Sequence, residues 1–151
     1  AGLTVSRTKW REFRRRFNSE CASLLRGRDL RARQTVDGRL CLADTDLNLW
    51  EEIQGMRPFG TGNPRPVWAA FGLRIVGQPK TVGRGHLKML LAEGGVQRDA
   101  IGFGLAERGV PDGPLDAIFS LEENRYRGRR SAQLHLLDFR PATTGLPDGL
   151  E

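Results

Sequence analysis

The chain has 151 residues, 38% hydrophobic and 28% charged, with 24 Lys/Arg against 18 Asp/Glu, room for one domain or for one small domain and a piece of another. No apolar run approaches the roughly 20 residues of a membrane-spanning helix and no signal-peptide pattern is present; two cysteines without metal-ligand spacing imply a reducing, cytoplasmic setting. The charge is uneven: residues 1–40 hold eleven Lys/Arg against four Asp/Glu, and residues 41–151 thirteen against fourteen. Such a basic excess suits a polyanion partner, most often nucleic acid, or a solvated helix face.

Ala1-Gly2-Leu3-Thr4-Val5 reads as a strand entered midway, so the chain is expected to be a fragment of something longer. Ser6 is placed to cap a helix running to about Leu25 and stopped by Gly27. Trp10, Phe13, Phe17, Cys21 and Leu24 recur at three- and four-residue steps, one apolar stripe expected to be core. Arg11, Arg14, Arg15 and Arg16 lie mostly off it, and Arg11 and Arg15 are candidate phosphate contacts. Thr35–Leu42 predicts a short strand or a hairpin about Asp37-Gly38. A second helix, from about Asp46 to Gln54, carries Leu49, Ile53 and Met56 on one face, with Asn48…Glu51 resembling a capping box. Asp44-Thr45-Asp46 is better explained as an N-terminal cap than as a metal pair.

Arg57-Pro58-Phe59-Gly60-Thr61-Gly62-Asn63-Pro64-Arg65-Pro66 cannot continue a helix or pair as a central strand. It should be a fixed connector built on Pro58, Phe59, Gly60, Gly62, Asn63 and Pro64, with Phe59 the side chain to bury. Beyond it the period changes to that of a strand. Val67, Ala69, Phe71, Leu73 and Ile75 alternate along a first strand bent at Gly72, with Trp68 on the opposite row as a seam or an exposed ring. Leu87, Met89 and Leu91 mark a second strand face, Ile101, Phe103 and Leu105 a third, Leu115, Ala117, Phe119 and Leu121 a fourth, and Ala132, Leu134 and Leu136 a fifth. Five short strands fit a small closed barrel of the OB type, and an SH3-like barrel also satisfies the count. The tail from Pro141 is expected to fray.

The ordered set Arg57–Pro66, His86-Leu87-Lys88, Ala100-Ile101-Gly102-Phe103, Asn124-x-Tyr126-x-Gly128 and Gln133-Leu134 resembles the C-terminal part of the bacterial RecJ family of single-strand-DNA-specific exonucleases. Ala1-Gly2-Leu3-Thr4 is similar to the residues that follow the family's Gly-Gly-His motif. The resemblance runs to about Pro141. It implies the end of a DHHA1 domain at 1–44, a short helix and connector at 45–66, an OB-fold barrel at 67–141 and a tail at 142–151. The fold class is then α+β, an N-terminal helical segment packed on a five-stranded OB barrel. The family's catalytic manganese or magnesium site belongs to an upstream DHH domain. No cofactor is expected in this chain.

The residues agree on that negative. Two-metal hydrolysis needs converging carboxylates and imidazoles, yet His86 and His135, the only histidines, sit on different predicted strands with no acidic cluster beside them. No nucleophile elbow, Walker loop or zinc spacing occurs. OB folds bind oligonucleotides between the loop joining strands one and two and the loop joining strands four and five. Here those loops offer Lys80, Arg84 and His86, and Arg125, Tyr126, Arg127, Arg129 and Arg130. Arg74 and Lys88 should point outward from the barrel. Cations beside a stacking ring suit sequence-independent binding of single-stranded DNA. The other reading is a docking module for the parent's own domains or for single-strand-binding protein, in which the arginines meet acidic side chains.

Overall fold

The computed structural model describes residues 2–30 and 34–143; Ala1 and the part of the expected frayed tail beyond Thr143 lie outside the described residues. The chain divides into two compact units, residues 1–34 and 35–151. In the first, residues 2–5 form no strand and helix α1 spans Trp10–Leu25. Ser6 is not its cap. Lys9 is the N-cap and donates its N–H to the Ser6 carbonyl at 2.9 Å, while the Ser6 hydroxyl meets that of Thr8. Gly27, with φ 76°, follows the helix end as expected. The aromatic stripe forms, Trp10, Phe13 and Phe17 stacking at centroid separations of 6.1 and 5.6 Å. It is not core, because no residue of α1 is buried; a lone helix has no second layer in its own unit to cover an apolar face.

The second unit opens with β1 (Gly38–Arg39), a one-turn 3₁₀ helix (Leu42–Asp44) and α2 (Leu47–Gln54). The hairpin reading at Asp37-Gly38 gives way to a parallel pairing of Gly38 and Arg39 with Trp68 and Ala69. Asp37 sets it by donating its N–H to the Val67 carbonyl (2.7 Å) and accepting the Val67 N–H on its carboxylate (2.8 Å). The cap of α2 is Asp46, whose Oδ1 accepts the Leu49 N–H at 2.8 Å. Asn48 instead donates to Asp46, and Glu51 reaches Arg130, so the expected capping box does not form.

Five strands follow: β2 (Trp68–Val82), β3 (His86–Glu93), β4 (Val96–Gly102), β5 (Leu115–Tyr126) and β6 (Arg129–Pro141). β2, β3 and β4 form an antiparallel meander, β4 pairs with β6 in parallel, β6 with β5 antiparallel, and β5 returns to β2. This closed mixed barrel is the OB fold. Leu73, Leu87, Met89, Leu91, Ala100, Leu115, Phe119, Leu121, Leu134 and Leu136 fill it, and Leu42 of the 3₁₀ turn and Ile53 of α2 join the same buried cluster. Met56, expected beside Ile53, is exposed.

β2 bends at Gly72, where φ is 64°. Its pairing with β5 slips there, from Ala70 opposite Ala117 to Leu73 opposite Leu115, which passes the core row from Ala70 to Leu73. Asp116 ties the bend down, accepting the Gly72 N–H at 3.1 Å on one carboxylate oxygen and Arg140 Nε at 3.2 Å on the other. Trp68 is a half-buried seam against β1, since a Cβ at Gly38 would lie 3.5 Å from its ring.

The connector is fixed from within. The Asn63 side-chain amide donates to the carbonyls of Met56 (2.7 Å) and Pro58 (3.0 Å). Gly60 and Asn63 exchange backbone hydrogen bonds of 2.8 and 3.1 Å. Phe59 packs against the barrel core with the Arg65 guanidinium 5.5 Å from its ring centre.

A methyl at Gly72 meets no neighbour, so Gly72→Ala isolates the backbone term. It is expected to destabilise by about 1–2 kcal/mol, the cost of a left-handed φ for an L-residue, measured by urea denaturation of the intact chain.

Candidate nucleic-acid interface

The buried positions of the barrel strands decide which side chains are left outside. With Leu87, Met89 and Leu91 inward on β3, His86 and Lys88 point out. Residues directly opposite each other share a face, so Lys80 opposite Lys88 is also outside. On β4 the inward pair is Ala100 and Gly102, which reverses the expected third strand face and places Ile101 and Phe103 outside. The cause is Leu105, whose side chain folds back over Gly102: a Cβ on that glycine would stand 2.6 Å from it. Ile101 adjoins His135 of β6. Further along the same face Gln133 opposes Glu122, Ser131 opposes Asn124, and Arg129 opposes Tyr126.

Phe103 is the centre of this face and was not among the sequence candidates. Its ring is 51% exposed and stands edge-on between the imidazoles of His86 (4.9 Å) and His135 (5.0 Å). His86 Nδ1 accepts the Gly104 N–H at 3.3 Å, and His135 Nδ1 meets Glu122 Oε1 at 3.1 Å. The available signal was Gly102 itself, a glycine in the middle of an apolar run where a core strand would carry a side chain.

The segment Asn124–Arg130, read as a loop, is the end of a two-stranded ribbon closed by Arg127-Gly128. Both turn residues have positive φ, 49° and 76°, the geometry of a two-residue hairpin turn in which Asn or Gly is usual at the first position. The four arginines divide between the ribbon's two faces. Arg125 and Arg130 oppose each other and both bond Glu123, Arg125 at 3.1 Å and Arg130 more closely; Arg130 also reaches Glu51 of α2 at 2.9 Å. Arg129 and Arg127 lie apart from these carboxylates. Arg129 has no ion-pair partner among the described residues, and the Arg127 guanidinium sits 5.3 Å from the centre of the Tyr126 ring, itself 63% exposed.

Arg84 is exposed in the turn between β2 and β3, and Lys80 is exposed on β2; neither has an ion-pair partner among the described residues. Lys88 faces Lys80, a repulsive cross-strand pair, with Asp99 at 3.9 Å from Lys88 only. Arg74 is exposed but pairs with Ala92, at the opposite end of β3 from His86. Arg11 and Arg15 are exposed on α1, in the other unit. A cleft of about 270 Å³ between the start of α2 and Leu90, Asp99 and Ser131 is lined by two carboxylates, Asp46 and Asp99, and by Arg98, whose Nε is bonded to Thr45. Among the described residues no group of three His, Cys, Asp or Glu side chains could hold a metal ion, and no helix is long and apolar enough to cross a membrane.

Residues 36–138 match the family model described as "RecJ OB domain". The single-stranded-DNA-specific exonuclease RecJ of Haemophilus influenzae is 34% identical over 148 residues, covering 92% of this chain and 25% of that protein. The Escherichia coli protein of the same name is 27% identical, covering 89% and 24%. The crystal structure of Thermus thermophilus RecJ in complex with Mn2+ superposes with a TM-score of 0.69 at 21% identity, over 99% of this chain and 21% of that one. The chain thus spans about a quarter of the length of these relatives.

Arg130, and secondarily Arg125, hold the Glu123 carboxyl below its ordinary value of 4.5. A lowered folded pKa makes stability that is complete above the unfolded value and lost as pH falls through the folded one. Glu123→Gln is therefore expected to lower the thermal midpoint at pH 7. The gap to the native chain should narrow below about pH 4.5, followed by melting curves across that range.

Proposed function

Because this chain belongs to the RecJ OB domain family, we propose that its barrel grips single-stranded DNA on the face centred on Phe103 and guides it towards a nuclease core elsewhere in a RecJ-like 5′→3′ exonuclease. One observation carries the reading. Among the described residues of the barrel unit, Phe103 and Tyr126 are the two exposed aromatic rings, and both lie on the outer face that also carries Lys80, Lys88 and Arg129. Rings spaced among cations are what binding without sequence preference requires: bases stack on the rings while Lys80, Arg84, Lys88, Arg127 and Arg129 neutralise phosphates. From His135 to Arg129, β6 spans roughly 20 Å, room for several nucleotides. Arg127 adds support, since a left-handed φ at an arginine is a local cost that the turn itself does not need. Arg125 and Arg130 serve a different end, holding the ribbon to Glu123 and to α2.

The hydrolysis named for the relatives, and the Mn2+ or Mg2+ that would serve it, belong in this reading to the remainder of a longer chain working on DNA in the cytoplasm. Single-strand-binding protein is the protein partner to test.

Fluorescence anisotropy of labelled oligo-dT with the intact chain, titrated with salt, tests the proposal. Binding should weaken steeply with salt, with a log–log slope of about 0.7 per phosphate contact. Arg127→Asn and Arg129→Ala should each lower that slope, whereas Arg125→Ala and Arg130→Ala should leave it nearly unchanged. Phe103→Ala should cost about 5- to 150-fold in affinity. Arg127→Asn should also raise stability by about 0.5–1 kcal/mol, because Asn tolerates the turn. No binding by the folded chain at low salt would instead favour docking to an acidic protein surface.

A further inference from the structure

The connector motif is the one sequence feature that the outer face does not absorb. Most glycines of the barrel have a visible reason. Gly72 and Gly128 need their positive φ, and Gly102 makes room for Leu105. Gly60 and Gly62 have neither reason: φ is outside the left-handed range at both, and a Cβ at either would meet nothing within 4 Å. Two glycines exposed on a surface turn add disorder to the unfolded chain without serving the fold.

The turn they occupy is nevertheless rigid. Asn63 clamps it to the carbonyls of Met56 and Pro58, its ends exchange two backbone hydrogen bonds, and Phe59 anchors it in the core beneath Arg65. At the tip, the N–H groups of Thr61 and Gly62 have no acceptor among the described residues. The end of the connector, at Arg65, borders the outer face. Arg65 lies 3.8 Å from Glu122, and Glu122 bonds His135, which flanks Phe103.

Resting on the DNA-holding reading above, we propose that Gly60-Thr61-Gly62 is a phosphate-contact site, its two glycines leaving the turn open so that a backbone phosphate of the bound strand reaches the peptide N–H groups of Thr61 and Gly62. Successive N–H groups in a turn form a concavity that suits an anion. Glycine lets a nucleic-acid backbone approach the peptide directly. The carboxylate that the connector's own Arg65 meets, Glu122, is engaged by that arginine and by His135, so it repels a nearby phosphate less than a free carboxylate would.

The test is the double variant Gly60→Ala/Gly62→Ala in the intact chain, with oligo-dT as probe. Its thermal midpoint should be unchanged or slightly higher, while affinity falls about tenfold, the loss expected for hydrogen bonds to a charged group. In the native chain the Thr61 and Gly62 amide resonances should move on titration with oligo-dT. A stable variant that binds like the native chain overturns the proposal and leaves the DNA-holding reading standing; that result would point to close approach by a protein surface instead. Unmoved amide resonances overturn it equally. If the native chain itself binds no oligo-dT, both readings fall.

Discussion

The barrel depends on one strand serving two edges. β2 pairs with β5 through its first half and with β3 through its second, and no straight strand can do both in a barrel this small. Gly72 takes the bend and Asp116 holds it, a buried carboxylate whose oxygens accept a backbone N–H and an arginine. The register slip at Gly72 lets Ala70 and Leu73 both face the core. With β2 closed on β5, the alternation of each remaining strand follows, and so does the list of side chains that stay outside.

That outside list is what gives the domain a chemical character. The ribbon of β5 and β6 projects with two unlike faces. One is satisfied internally: Glu123 and Glu51 hold Arg125 and Arg130, fixing the ribbon's direction relative to α2. The other face carries Tyr126 and Arg129, with Arg127 stacked on the tyrosine. Arg130, which anchors the ribbon, and Arg129, which stays free of it, are the same residue type one position apart. The alternation of a strand separates their tasks.

Much of the fold was legible because strand alternation and turn residues are local. Leu87/Met89/Leu91, Leu115/Ala117/Phe119/Leu121 and Leu134/Leu136 were assigned to the core from period alone, and they are buried. The prolines and glycines of residues 57–66 exclude a helix or a central strand there, and hydrogen bonds from the Asn63 side chain and between Gly60 and Asn63 hold the segment. The failures have non-local causes. Phe103 was assigned to the core because Ile101, Phe103 and Leu105 alternate correctly, and only the return of Leu105 over Gly102 reverses the strand. The pairing of Arg130 with Glu51 joins residues 79 apart in the chain, beyond any motif. Ser6 is a good capping residue by type, but the helix starts three positions later than such a cap would dictate.

On the proposed reading, net charge is a poor guide to where this chain meets a polyanion. The basic excess lies in residues 1–40, whereas residues 41–151 carry thirteen cations and fourteen carboxylates. A nearly neutral domain can attract phosphate only by segregating its charges, and the carboxylates here do that. Glu123 and Glu51 tie up Arg125 and Arg130, Asp116 takes Arg140, and Asp138 takes Arg108. Each of these pairs removes one charge of each sign from long-range effect. Left over on or beside the outer face are Lys80, Arg84, Arg127 and Arg129, against Asp99 and Glu122, both of which have a cation or an imidazole close by. Exposed ion pairs contribute little to stability, so the value of this arrangement lies in what it leaves unpaired. A small set of uncompensated cations beside two rings is a local field that short-range contacts can use, and one that salt screens beyond about 10 Å.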